Sequence, residues 1–327
     1  MDAATTYLQT FQALRRRKRW SVDTNVLRFA ALAIGTVDTS EPYARLEATA
    51  ETLRKGAGWF GPLKSPVRYV VAAMILRQGL SARHVHSAVK RTREAMRRRK
   101  LPRGALPQTL ASVLLVLDRQ GSPVPTQTLE RMERIMARWK EDHRWLTRAD
   151  DLPTAALHAA RDVPVESIAV ETEHAYQALR DHRYSRGNAL QLVSHMLAFD
   201  PRGVDTAVSR FLRIANKFGD AGWKIRVSRY DEAAILSLSQ GTPDAVVDRA
   251  LRFVERLRAE RPRPGRDIAF SLAAGLVLAE DARKAGPRSV ADLGQLQAAQ
   301  AIIAAQQAAM VAAIAASSAA TTAATSG

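Results

Sequence analysis

The sequence contains no cysteine. That excludes disulfides, thiolate metal sites and a thiol nucleophile, and it suits a reducing compartment. Signature motifs are scarce as well: GxxxxGK[ST], GxSxG and HExxH do not occur, and GxGxxG occurs once, at Gly56 to Gly61. Gly56 and Gly58 lack the strand that precedes a phosphate-binding loop. No segment alternates apolar and polar residues as a strand does, so strand content is expected to be close to nil. Uninterrupted apolar runs are also scarce. Val26 to Ile34 is broken by Arg28, which argues against a signal peptide and for a cytoplasmic protein. Ala298 to Ser317 is long enough to span a bilayer, but its alanines are weakly hydrophobic and Gln300, Gln306 and Gln307 are costly in lipid, so a membrane partner is not expected.

Acidic residues are in short supply at one end. Residues 1–104 hold 21 Lys or Arg against 7 Asp or Glu, whereas the remaining 223 hold 28 against 25. The formal charge of +17 therefore belongs mainly to the first third. Forty of the 49 basic residues are Arg, a bias of residue usage that explains Arg over Lys but not the asymmetry.

What is present is a repeat. Seven apolar segments with small residues at their centres fall around Ala30, Ala72, Ala111, Ala155, Val193, Ala233 and Ala273, with steps of 42, 39, 44, 38, 40 and 40. Such regularity marks helix pairs that cannot bury their apolar faces alone and stack to complete a core. The apolar segments are the inner helices. Amphipathic outer helices are expected near 41–55, 81–98, 126–141, 165–181, 203–218 and 242–260, the last opened by Thr242 as cap and Pro243 at the first helical position. The expected fold is all-α: an α/α array of about seven helix pairs, either an open superhelix or a toroid. A single body would cover 1–290, and 291–327 would be an uncharged Ala/Gln-rich segment, helical over about 298–317.

A second signature precedes most inner helices: an aromatic, then basic residues or glycine, then a polar cap. It occurs at Trp20 to Asp23, Trp145 to Asp151, Tyr184 to Asn188 and Trp223 to Asp231, with Asp267 in the capping place of the last repeat. The structural reading is that each polar residue caps a helix start and each aromatic plugs the gap between units. The functional reading is that the loops share one rim where aromatic and basic groups meet a ligand.

The run Gly187-Asn188-Ala189-Leu190-Gln191 through His195, the segment Leu146 to Ala156 with its paired aspartates, and the tail Ile302 to Met310 with its Gln-Gln-Ala-Ala-Met run resemble an uncharacterised bacterial family catalogued as domain of unknown function 4003. The resemblance covers nearly the whole chain and implies a helical, cytosolic bacterial protein. It carries no activity, cofactor or catalytic residue across.

Two constellations remain. Asp150 and Asp151 are a candidate acid/base pair, and Asp23, Asp151, Asp231 and Asp267 would all point into one mouth if the inner helices closed into a ring, making an enzyme with an acidic pocket; as neighbours of helix starts these residues also read as caps and dipole partners. The basic residues Arg15, Arg16, Arg17, Lys18 and Arg19, with Arg91, Arg97, Arg98, Arg99 and Lys100, exceed what two helix C-termini require. They read first as a solvated surface with no partner; they also fit phosphate backbones, which would make nucleic acid or another polyanion the partner of a non-enzymatic scaffold, with a protein partner as an alternative. No cofactor is expected. No metal site is expected either, because His84 and His86 point to different helix faces and His158 and His195 suit hydrogen-bonded core positions.

Overall fold

Two kinds of helix follow from two kinds of apolar spacing. In Ala105–Asp118 every residue from Gln108 to Leu117 is buried, as befits a helix surrounded by others. In Ala82–Arg98 only Val85, Ala88, Val89, Thr92 and Met96 are buried, a stripe at steps of three and four. The computed structural model describes residues 2–16, 22–35, 42–58 and 61–285. Fourteen helices and no strand occur among them, and none of these helices is long and apolar enough to cross a membrane. Arg17, Lys18, Arg19, Trp20 and the 298–317 segment lie outside the described residues.

The helices form two compact units divided at Val124 and Pro125. The first contains α1 (Ala3–Arg16), α2 (Thr24–Ile34), α3 (Pro42–Gly56), α4 (Val67–Arg77), α5 (Ala82–Arg98) and α6 (Ala105–Asp118). The second contains α7 (Thr126–Asp142), α8 (Leu152–Ala160), α9 (Val165–Asp181), α10 (Asn188–Leu197), α11 (Val204–Asp220), α12 (Tyr230–Ser237), α13 (Pro243–Ala259) and α14 (Arg266–Ala285). Within each unit a helix touches its neighbour in sequence and the next but one: α1 meets α2 and α3, α10 meets α9 and α12, α11 meets α12 and α13. This packing is consistent with stacked hairpins, even-numbered helices inside and odd-numbered ones outside.

Helix starts use the expected chemistry in places. Asp23 accepts from the Asn25 and Val26 amides at the head of α2, and Thr242 accepts from Ala245 N with Pro243 following. At α8 the geometry differs: Asp151 closes a 3-10 turn by accepting from Arg148 N at 2.8 Å and reaches no amide of α8.

In the second unit, the connections from inner to outer helices are stitched by arginine. Arg131 on α7 donates to the carbonyls of Ala159, Arg161 and Val163 at the end of α8. Arg161 donates to Ala198 O in the next connection, and Arg202 to Ser237 O in the one after. Arg210 on α11 holds Ser237, Ser239 and Gly241, and Arg249 on α13 holds Gln240 O and the Asp281 carboxylate. These carbonyls are the orphans of a helix C-terminus, and the planar guanidinium fork satisfies two or three of them at once. Part of the arginine surplus is therefore structural.

Candidate functional site

In the first unit, the C-terminal half of α5 and the turn after it carry the basic residues. Arg83, Lys90, Arg91, Arg97, Arg98, Lys100 and Arg103 are exposed, and Glu94 is the one acid between residues 82 and 103. None of these seven cations is held by a carboxylate among the described residues; Arg91 donates only to Ser87 Oγ. Arg99 differs, being half-buried at the C-cap. Lys100 takes a left-handed conformation, φ 59°, and Leu101 N closes the helix on Met96 O. That position favours glycine, so a lysine there occupies a backbone well that costs a β-carbon-bearing residue roughly 1 kcal/mol. Arg15 and Arg16 end α1 on the surface of the same unit, and α3, which touches both α1 and α5, ends in Arg54 and Lys55. Arg54 is engaged by Glu51 through two 2.6 Å contacts. α1, α3 and α5 thus each end in basic residues, and α3 touches both of the others.

The carboxylates lie in the second unit and do not converge. Asp150 is exposed; Asp151 is 7% exposed at the start of α8; Asp231 opens α12, with α10 standing between α8 and α12. Burial raises the Asp151 carboxyl to about 6, with the charge of Asp150 adding to the effect and the Arg148 amide opposing it. Its Oδ1 is 3.7 Å from His195 Nδ1, which has no hydrogen-bond partner. His195 is held well below the ordinary imidazole range by burial and by its histidine neighbours. Its ring stacks on Trp139 at 3.5 Å between centroids, and the Trp139 indole N–H donates to Thr172 Oγ1. His158 donates from Nε2 to His195 O while Nδ1 accepts from Arg161, which fixes the neutral tautomer; burial lowers its pKa to about 3. Gln191 donates to Thr147 Oγ1, which donates to Trp139 O. The set is an interior cluster of neutral rings and a carboxyl under burial pressure, in which His195 Nδ1 and Gln191 Oε1 have no hydrogen-bond partner.

Sequence reasoning missed Glu232. It sits on α12 at 6% exposure, is paired with Ser271 Oγ of α14, and is pushed well above the usual carboxylate range by burial and by Asp231 beside it. Asp231 accepts from the Glu232 amide. The signal was in the repeat register: Gln191, Glu232 and Ser271 follow one another at 41 and 39 residues, each a polar residue on an otherwise apolar inner helix. Asp267, expected as a cap, is taken by Arg229 from the preceding repeat at 2.6 Å.

The loop aromatics divide. Tyr184 packs on Phe211 and Tyr230, and Trp223 stacks on Phe270, as gap-filling residues should. Trp145 does not: 78% of it is exposed, with Arg144 lying over its ring at 5.7 Å. Among the described residues no group of three or more His, Asp or Glu is placed to hold a metal ion.

Residues 10–308 match a family described as a protein of unknown function (DUF4003). No curated protein and no solved structure matches the chain.

Proposed function

We propose, for a chain that belongs to the DUF4003 family, a non-enzymatic helical scaffold that binds polyanions, nucleic acid in the first instance, through the basic residues of its first unit. The observation that carries this is the exposed set Arg83, Lys90, Arg91, Arg97, Arg98, Lys100 and Arg103, without a carboxylate partner among the described residues, against the single acid Glu94. A solvated surface gains from interspersed charges of both signs, because like charges repel; a face of one sign is stabilised by a ligand that supplies the other. Such a face neutralises phosphates and releases their counterions. It reads no bases, since no base-reading motif is present, so contacts to phosphate would set affinity without sequence preference.

The test is a fluorescence-anisotropy titration of a labelled DNA duplex at several salt concentrations. Binding that weakens steeply with salt, and weakens less steeply once Arg97, Arg98 and Lys100 are replaced by Gln, supports the reading. No binding at low salt rejects it.

A further inference from the structure

In the second unit, the connections from outer to inner helices carry a charge pattern that the opposite edge lacks. Residues 181–187 hold Arg183 and Arg186 against Asp181, residues 220–229 hold Lys224, Arg226 and Arg229 against Asp220, and residues 260–266 hold Arg261, Arg263 and Arg266 against Glu260. With Asp231 and Asp267 at the helix starts included, these three connections have eight cations and five acids; the fourth connection of the edge, 143–151, holds Arg144 and Arg148 against Asp150 and Asp151. The opposite edge has Arg161 and Arg202 against Asp162, Asp200, Glu166, Asp205 and Asp244, and both arginines are spent on backbone carbonyls. At each edge the helix C-termini and N-termini meet in equal number, so their dipoles offset and side-chain charge sets the field.

The three connections are neighbours. Tyr184 meets Tyr230 at 5.2 Å, Arg266 donates to Gly222 O, and Arg229 reaches Asp267. Arg183, Arg186, Lys224, Arg226 and Arg263 are exposed and have no carboxylate partner among the described residues. Arg183, like Lys100, holds a left-handed conformation that glycine would adopt freely, φ 64°.

Beside this edge a groove of about 480 Å³ opens between α13 and the loop that follows α11. It is lined by Ala221, Trp223, Leu251 and Val254 with Arg258 and Arg263, two cations against the single acid Glu255. Arg258 Nε is buried there without a hydrogen-bond partner. Both features have one chemistry: a flat apolar group against the apolar lining and an anion at the guanidinium. A planar base joined to phosphates supplies both, repeated along a chain, whereas a duplex keeps its base faces covered.

We infer that this edge of the second unit is a track for single-stranded nucleic acid, its phosphates on the three basic loops and one base seated in the groove beside Trp223. The site is separate from the basic residues of the first unit and stands whether or not they bind. A base contact in the groove makes the track prefer single strands to duplexes and to base-free polyphosphate.

The experiment uses the full chain and a fluorescein-labelled oligothymidylate of twenty nucleotides. Arg186→Gln, Arg226→Gln and Arg263→Gln together should lower the magnitude of the log–log salt slope by about 2, from roughly 0.7 per phosphate contact on a single strand. Leu251→Glu, on the half-exposed rim of the groove, should weaken binding about tenfold, whereas the same change at Val170, 65% exposed on α9, should not. Thermal melts of each variant establish that it folds. Three results overturn the inference: loop variants that bind as the parent does; inorganic polyphosphate competing as well as oligothymidylate at equal charge; or loop variants that lose phosphatidylserine vesicles while keeping the oligonucleotide. The Arg97, Arg98 and Lys100 variant run beside them separates the two sites. If that set alone weakens the oligonucleotide, the proposed function stands and this inference falls; if the loop set alone does, the reverse holds.

Discussion

Trp139 on α7 and His195 on α10 lie face to face, their planes 10° apart and their centroids 3.5 Å apart, in the interior of the second unit. The indole also donates to Thr172 on α9 and meets the edge of His158 on α8, so one side chain of α7 touches the next three helices. Trp139→Ala should therefore cost about 3–5 kcal/mol in chemical denaturation, as large-to-small core changes do. Trp139→Phe, which keeps most of the volume but leaves Thr172 without its donor, should cost less than half of that. Equal losses from the two would show that packing around the indole is not what matters.

Asp151 makes stability depend on pH in a known direction. Its folded pKa of about 6 lies above the ordinary 3.8, so the folded state binds its proton more tightly than the unfolded chain. The contribution is fully present below about pH 4 and is lost as pH rises through 6, an effect on the order of 1–3 kcal/mol. Asp151→Asn never ionises and can still accept from Arg148 N. The variant should gain in melting temperature over the parent at pH 7.5, and the gain should shrink on descending from pH 6 to pH 4. A difference independent of pH across that interval counts against a buried, shifted carboxyl.

Arg131 offers a test of the arginine stitching. Its guanidinium serves three carbonyls, and a lysine keeps the charge without the planar fork. Arg131→Lys should lose about 1–2 kcal/mol and Arg131→Ala somewhat more, with hydrogen exchange accelerated near Ala159 to Val163. A lysine variant as stable as the parent would make the contact a matter of charge alone.

Lys100 links conformation to charge. Lys100→Gly should stabilise α5 by about 0.5–1 kcal/mol, because glycine takes the left-handed turn without strain. The same change should lower affinity for duplex DNA and reduce the slope of log affinity against log salt by about 0.9, the loss of one phosphate contact. Opposite signs in the two measurements show that strain is kept in exchange for a cation; a gain in stability with no loss of affinity removes Lys100 from the proposed interface. The triple variant at Arg97, Arg98 and Lys100 should reduce the slope by about 2.7 on the same count.

Apolar spacing alone made the helices legible. Spans expected near 81–98, 165–181 and 242–260 are Ala82–Arg98, Val165–Asp181 and Pro243–Ala259 in the structure, because a stripe at steps of three and four has one solution, an amphipathic helix. The interior network was not legible. His195 and Asp151 are 44 positions apart, and their approach depends on how far one hairpin is shifted against the next, which no local spacing encodes. Glu232 was hidden for a related reason: an acid in a first turn satisfies the helix dipole in sequence, and only the packing of α14 over it turns that acid inward. The arginines read as one uniform surplus, yet Arg131, Arg210 and Arg249 hold carbonyls while Arg97 and Arg226 have no ionic partner among the described residues. Residue type does not distinguish these uses; position on the array does.

The stitched edge of the second unit also governs which changes of length the protein tolerates. Connections 161–164, 198–203 and 238–242 are tied at fixed positions by guanidinium groups, so an inserted residue there breaks several bonds and shifts the hairpin that follows. The basic connections across the unit already differ in length, from six residues at 182–187 to nine at 221–229. One edge is thus a spine that resists indels, whereas the other is held mainly by side-chain contacts such as Arg229 with Asp267 and Trp223 with Phe270, which leave more of its loop length open to change. A lineage carrying this fold can diversify what it binds at that second edge while inheriting the spine unchanged.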